Sequence, residues 1–155
     1  MKLETTSSLD LLNIAEKLNI HGLTIESSDT LDSNGVPDTA FGIINLDDSQ
    51  GSGSHWVAFY NHPKSKYTIY YDSFGSDADP RTIDFLKKSG NPVIGVSNHT
   101  QDLSATSCGW YCLCFLYDMK QTHGNIGKFL SRFGGDEKKN EAVLRNFFKK
   151  QIKNN

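Results

Sequence analysis

No apolar run in this chain is long enough to cross a membrane: the longest, Gly109 to Tyr117, falls far short of the roughly 20 residues a span requires. The opening residues, MKLETTSS, lack the apolar core of a secretory signal, so export is not expected. Charge of one sign is also lacking. A net charge of −2 over 155 residues gives no overall field to draw the protein to nucleic acid or anionic lipid. Cysteine is scarce, with three residues, and none is spaced as C-x-x-C. Cys108 and Cys112 lie one helical turn apart, a poor geometry for a disulfide, which fits free thiols in a reducing compartment. The histidines (His21, His55, His62, His99, His123) match no structural zinc spacing, and no metal is expected.

The composition that remains, 37% hydrophobic and 22% charged, is that of an ordinary globular protein, and the length fits one domain over residues 1–155. Ser7 and Asp10 form a capping-box pattern ahead of Leu11, Leu12, Ile14, Ala15 and Leu18 at helical spacing, ending near Asn19. Residues 22–38 are polar and marked by Gly and Pro, which predicts a loop. TAFGIINL reads as a buried strand, and DDSQGSGS as a connector leading to His55. HWVAFYN and KYTIYYDSF, separated by HPKS, read as a β-hairpin. Asp79 before Pro80 opens a short helix, and NPVIGVS gives another strand. From Cys108 to Met119 the residues are apolar all round, the pattern of a helix buried at the centre of a fold. After Asp136, Val143, Leu144, Phe147, Phe148 and Ile152 share one helical face opposite Lys138, Lys139, Lys149, Lys150 and Lys153. A solvated face is the simplest reading of those lysines, and nucleic-acid binding through them is left uncertain. The class is α+β, a small sheet wrapped by helices.

Cys108 taken alone fits core packing, since free cysteine is among the most buried residue types. Three features argue for chemistry instead. With Ser107 or Thr106 as the N-cap, Cys108 occupies the first turn of a helix, whose positive end favours a thiolate. Cys112 and Cys114 lie deeper and read as core. If HPKS is the hairpin loop and Asn61 pairs with Lys66, His55 falls directly opposite Asp72. There a carboxylate can hold one ring nitrogen and leave the other as a base. Gln101, upstream of Cys108, carries a side-chain amide able to donate to a developing oxyanion beside the Cys108 N–H.

Those residues sit in GSHWVAFYN, YYDSFG and QDLSATSCGWYC, and in that order they resemble the adenovirus-type maturation proteases. These form the adenain branch of the clan that also holds the SUMO-specific proteases. SLDLLNIAEKLNI and TAFGIINLDDSQGSGSHW are similar to that family's N-terminal helix and its approach to the catalytic histidine. The seven-residue step from Gln101 to Cys108 is the adenain-branch spacing, and the chain most resembles the compact proteases of virophages and Polinton-type elements. The resemblance implies a small, mainly antiparallel sheet flanked by helices, with one buried central helix carrying the nucleophile. It further implies Cys108 as nucleophile, His55 as base and then acid, Asp72 as the orienter of His55, and Gln101 with the Cys108 N–H as oxyanion hole. Trp56 would border a narrow substrate channel that favours glycine at the cleaved bond.

The implied function is a cysteine endopeptidase that matures capsid or other virion precursor proteins. It would work as a monomer in the host cytoplasm or virus factory, and be packaged in the virion. An isopeptidase that removes ubiquitin-like modifiers would use the same residues. A non-enzymatic module, with the cysteines as core and the lysine helix on nucleic acid, is the third reading. The chemistry requires no cofactor. A disulfide-linked activator peptide would need a cysteine upstream of Gln101, and KKSGNPVIGVSNHT has none; a DNA activator finds no support in the slightly acidic balance.

Overall fold

The structure is a computed structural model that describes residues 1–37, 40–46, 55–61, 66–96, 99–101 and 106–153, with the side chain of Lys153 excepted. In chain order the elements are α1 (Ser8–Lys17), β1 (Thr24–Ser27), β2 (Phe41–Asn45), β3 (Trp56–Tyr60), β4 (Thr68–Tyr71), α2 (Pro80–Lys87), β5 (Val93–Val96), α3 (Cys108–Thr122), α4 (Ile126–Leu130) and α5 (Glu137–Lys153). The connectors expected at 47–54 and 62–65 lie outside the described residues.

The predicted capping box forms in both directions. Ser7 Oγ accepts the Asp10 N–H at 3.1 Å and Asp10 Oδ2 accepts the Ser7 N–H at 2.9 Å. The helix stops after Lys17, and Asn19 takes a left-handed conformation. Leu11 and Ala15 are buried, but Leu12 faces outward. α2 likewise opens as expected, with Asp79 Oδ1 accepting the Thr82 N–H at 2.8 Å ahead of Pro80.

The five strands lie in the order β1-β2-β3-β4-β5. The expected hairpin, β3 with β4, and a second antiparallel pair, β2 with β3, form the middle of the sheet, while both outer pairings are parallel. Parallel neighbours need long crossovers; residues 28–40 and the α2 segment supply them. β1 falls inside the stretch read as a loop. Its sequence, TIES, is short and half-exposed, so no apolar alternation marks it, and its strand character comes from pairing with β2.

Both faces of the sheet are covered, which the period of two makes visible. Trp56, Ala58 and Tyr60 point into a core shared with α3, whereas Val57 and Phe59 join Phe85 and Leu86 of α2 on the other side. Between them lies the register. Ala58 pairs with Tyr71 and Tyr60 with Ile69, two positions away from the expected alignment. The cause lies at Asn61, which was expected to pair with Lys66. Its buried Oδ1 accepts the Thr68 hydroxyl at 3.0 Å while its Nδ2 donates to Pro37 O at 2.8 Å. A slip of two keeps every side chain on its own face, so His55 and Asp72 remain on the same side of the sheet.

α3 runs through the centre: Tyr111, Cys112, Leu113, Cys114, Phe115 and Leu116 are all fully buried. Its one buried carboxylate, Asp118, is held by a two-point fork from Arg132 (Nε to Oδ2 2.6 Å, Nη2 to Oδ1 2.9 Å). α4, which the sequence reading did not identify, caps this core with Phe129. α5 packs Leu144, Phe147 and Phe148 inward and exposes Lys138, Lys139, Lys149 and Lys150.

Candidate active site

His55 lies one residue before β3 and Asp72 one residue after β4. With the observed register they face each other diagonally across the strand pair rather than squarely, and the side chains span the offset. His55 Nε2 donates to Asp72 Oδ1 at 2.6 Å, with both groups buried. The same oxygen accepts the Phe74 N–H at 2.9 Å. A tight turn closes when the Gly75 N–H donates to Asp72 O at 2.8 Å, and Gly75 itself takes a positive φ of 76°, a conformation that favours glycine. That turn lays Phe74 flat on the imidazole, with ring centroids 4.1 Å apart and planes 8° from parallel. The outer side of the turn is braced by His99, whose Nδ1–H donates to Phe74 O at 2.8 Å and whose Nε2 pairs with Glu137 at 2.8 Å.

The second imidazole nitrogen, Nδ1, is buried and makes no hydrogen bond. Cys108 lies near the ring, and negative charge on its sulfur adds to that of Asp72 in favouring the imidazolium. Burial works to lower the His55 pKa, but the Asp72 hydrogen bond and charge, reinforced by Cys108, outweigh it and raise the value to about 9. The imidazolium form is therefore the favoured one at neutral pH.

Cys108 is the first residue of α3. Ser107 holds the N-cap position, but its side chain does not cap; the hydroxyl donates to Glu141 Oε1 at 2.5 Å instead. Thr106 is turned away too, donating to Leu3 O at 3.1 Å. The helix start thus keeps its positive end for a group at Cys108. Burial pushes the Cys112 and Cys114 thiols well up, and charge at Cys108 adds to this at Cys112. Both are fully buried and suited to packing.

Gln101 is fully buried. Its backbone N–H donates to Ser73 O at 3.1 Å and its side-chain Oε1 accepts the Ser73 hydroxyl at 2.5 Å. The preceding Thr100 is fixed from three elements: by the Tyr71 hydroxyl (2.7 Å to Oγ1), the Tyr111 hydroxyl (3.2 Å to its carbonyl) and Asn140 Nδ2 (3.1 Å to the same carbonyl). Residues 102–105, between Gln101 and the start of α3, lie outside the described set.

Trp56, the residue after His55, opens β3. It is 4% exposed, part of the core, and its indole N–H donates to Thr6 O at 3.1 Å. Trp110 does the same to Glu4 O at 2.8 Å. Residues 3–6 are thereby strapped over the first turn of α3, at the position of Gly109. A Cβ there would overlap Thr6 Oγ1 and come within 2.9 Å of Leu11 Cδ2.

The structure therefore joins His55 to Asp72, puts Cys108 near the imidazole, bonds Gln101 to Ser73, and ties the Trp56 indole to Thr6. Ser73, Phe74 and Thr100 were not singled out from sequence. Only the adjacency of Ser73 and Phe74 to Asp72 could have marked them. Among the described residues no group of three or more His, Cys, Asp or Glu side chains is placed to hold a metal ion. Chemically, the arrangement can present a thiolate beside an imidazolium, the pairing required to attack a carbonyl and then protonate its leaving group.

No protein-family model matches the chain, and no curated protein matches it in sequence. Solved structures do match. Two crystal structures of the ASFV pS273R protease superpose with TM-scores of 0.66 and 0.60 at 16% identity, covering 92% of this chain and 67–68% of theirs. The SUMO protease Ulp1 overlaps in part, at a TM-score of 0.45 and 17% identity over 76% of this chain and 53% of its own. The α+β fold described above is thus shared with the ASFV protein.

Proposed function

We propose that this chain is a cysteine endopeptidase in which Cys108 is the nucleophile, His55 the base and then acid, Asp72 the orienter of His55, and Gln101 with the Cys108 N–H the oxyanion hole. The observation that carries the reading is the buried imidazole held at Nε2 by Asp72 at 2.6 Å, with Cys108 on its remaining side at the start of a helix. In this mechanism the thiolate adds to the peptide carbonyl, and His55 gives its proton to the departing amine. Water, deprotonated by His55, then releases the acyl group. No step calls for a metal or organic cofactor. The fold shared with a protein named as an ASFV protease supports the reaction class.

The substrates we infer are capsid or other virion precursor proteins cut at small, glycine-containing sites, by a monomer formed from a single domain, within the infected cell and its virions. That finer assignment rests on the sequence resemblance, above all the seven-residue step from Gln101 to Cys108. No helix among the described residues is long and apolar enough to cross a membrane. Co-expression with a capsid precursor, followed by mass spectrometry of the fragments, tests this directly. Cleavage by the wild type and none by Cys108→Ala is the expected result. An intact precursor alongside release of a modifier from a ubiquitin-like conjugate would replace the endopeptidase with an isopeptidase, and failure on both would overturn the enzyme reading.

A further inference from the structure

A primary amide has two similar ends, and only the NH₂ end can donate to an oxyanion. If Gln101 serves that role, something must keep its oxygen from turning toward the reacting carbonyl. We propose that Ser73 is the positioning residue that sets the orientation of the Gln101 amide. This rests on the oxyanion role proposed above and extends it.

The geometry is specific. Ser73 and Gln101 are both fully buried, so neither side chain can exchange its partner for bulk water. The Ser73 hydroxyl donates to Gln101 Oε1 at 2.5 Å. A hydroxyl can also accept, but its proton needs an acceptor, and the amide oxygen provides one; with Oε1 occupied, the NH₂ end is directed elsewhere. The Ser73 carbonyl meanwhile accepts the N–H groups of Thr100 (2.9 Å) and Gln101 (3.1 Å) and the Thr100 hydroxyl (3.3 Å). One residue therefore holds the glutamine at backbone and side chain together. Because Ser73 follows Asp72 directly, the support for His55 and the support for the oxyanion donor are a single piece of chain.

The test separates oxyanion formation from thiol reactivity and needs no natural substrate. Acylation of Cys108 by p-nitrophenyl acetate passes through a tetrahedral oxyanion, whereas alkylation by iodoacetamide does not. Ser73→Ala should slow acylation by about tenfold, the worth of one hydrogen bond, and leave the alkylation rate and its pH profile at wild-type values. The double variant Ser73→Ala/Gln101→Ala should acylate no more slowly than Gln101→Ala alone. Should Ser73→Ala fail to melt cooperatively, Ser73→Gly, which removes the hydroxyl and adds no reactive group, makes the same comparison. Wild-type acylation in these variants, equal losses of acylation and alkylation, or additive losses in the double variant would each overturn the proposal. If Gln101→Ala itself acylates normally, the oxyanion role of Gln101 fails; if Gln101→Ala is slow and Ser73→Ala is not, only the role of Ser73 fails.

Discussion

Replacing Asp72 by Asn offers a measurement whose size can be worked out beforehand. An asparagine Oδ1 can still accept both the His55 and Phe74 N–H groups that Asp72 Oδ1 now accepts, so the geometry survives while the charge is removed. In the wild type His55 is raised from 6.5 to about 9, which corresponds to roughly 3 kcal/mol of coupling between protonation and folding. The sign follows from proton counting. Between those two values the folded protein holds a proton that the unfolded chain has released. The stabilisation is thus fully present below about pH 6.5 and is lost as the pH rises toward 9. In Asp72→Asn the carboxylate's charge is removed while burial still acts to lower the His55 pKa and Cys108 to raise it, so that slope should flatten. Urea unfolding at several pH values between 6 and 9.5 reads out both proteins. The difference between the two curves should shrink as the pH rises through the window, by up to about 3 kcal/mol, with the other histidines cancelling in the subtraction. Curves that run parallel would refute the argument that Asp72 holds His55 as an imidazolium.

Other perturbations follow from the same contacts. Cys108→Ala should abolish cleavage with the fold retained. Cys112→Ala should keep activity and lose about 1 kcal/mol of core packing, as read by peptide hydrolysis and thermal melting. Gln101→Ala should lower turnover by about 10²–10³ with little change in substrate binding, which steady-state kinetics would check. Gly109→Ala gains up to about 1 kcal/mol of helix propensity. It must also displace Thr6 and Leu11, at an overpacking cost of about 1–3 kcal/mol, so a lower melting temperature is expected. Arg132→Ala strands the fully buried Asp118 carboxylate and should destabilise by about 3–5 kcal/mol, measured by urea unfolding.

Much of this molecule could be read from residue order, because its strongest signals are local. The Ser7 capping box, the Asp79–Pro80 helix start and the unbroken apolar run of α3 each depend on neighbours within a few positions, and each forms as read. The resemblance singles out His55, Asp72, Gln101 and Cys108; in the structure His55 bonds Asp72, and Gln101 bonds Ser73, the next residue along. What escaped depends on distant partners. Nothing in TIES announces a strand until β2 lies beside it, and the hairpin register turns on Asn61, whose amide answers to Pro37 and Thr68 rather than to its sequence neighbours. Trp56 could be assigned a face of its strand from alternation. That its indole would be occupied by Thr6, fifty residues upstream, could not.

Three consecutive residues at the end of β4 carry three different duties. Asp72 aligns the imidazole, Ser73 carries Gln101, and Phe74 roofs the ring. All three belong to one tight turn, closed by the Gly75 N–H on Asp72 O, so a one-residue shift of this segment would misplace all three at once. The site therefore has a single point of failure. Fraying here would leave no half-competent enzyme that still activates its thiol but fails to steady the oxyanion. The population would instead divide into molecules that have the whole constellation and molecules that have none of it. Any partner that grips or releases residues 72–74 would act as a switch with two positions rather than as a dial.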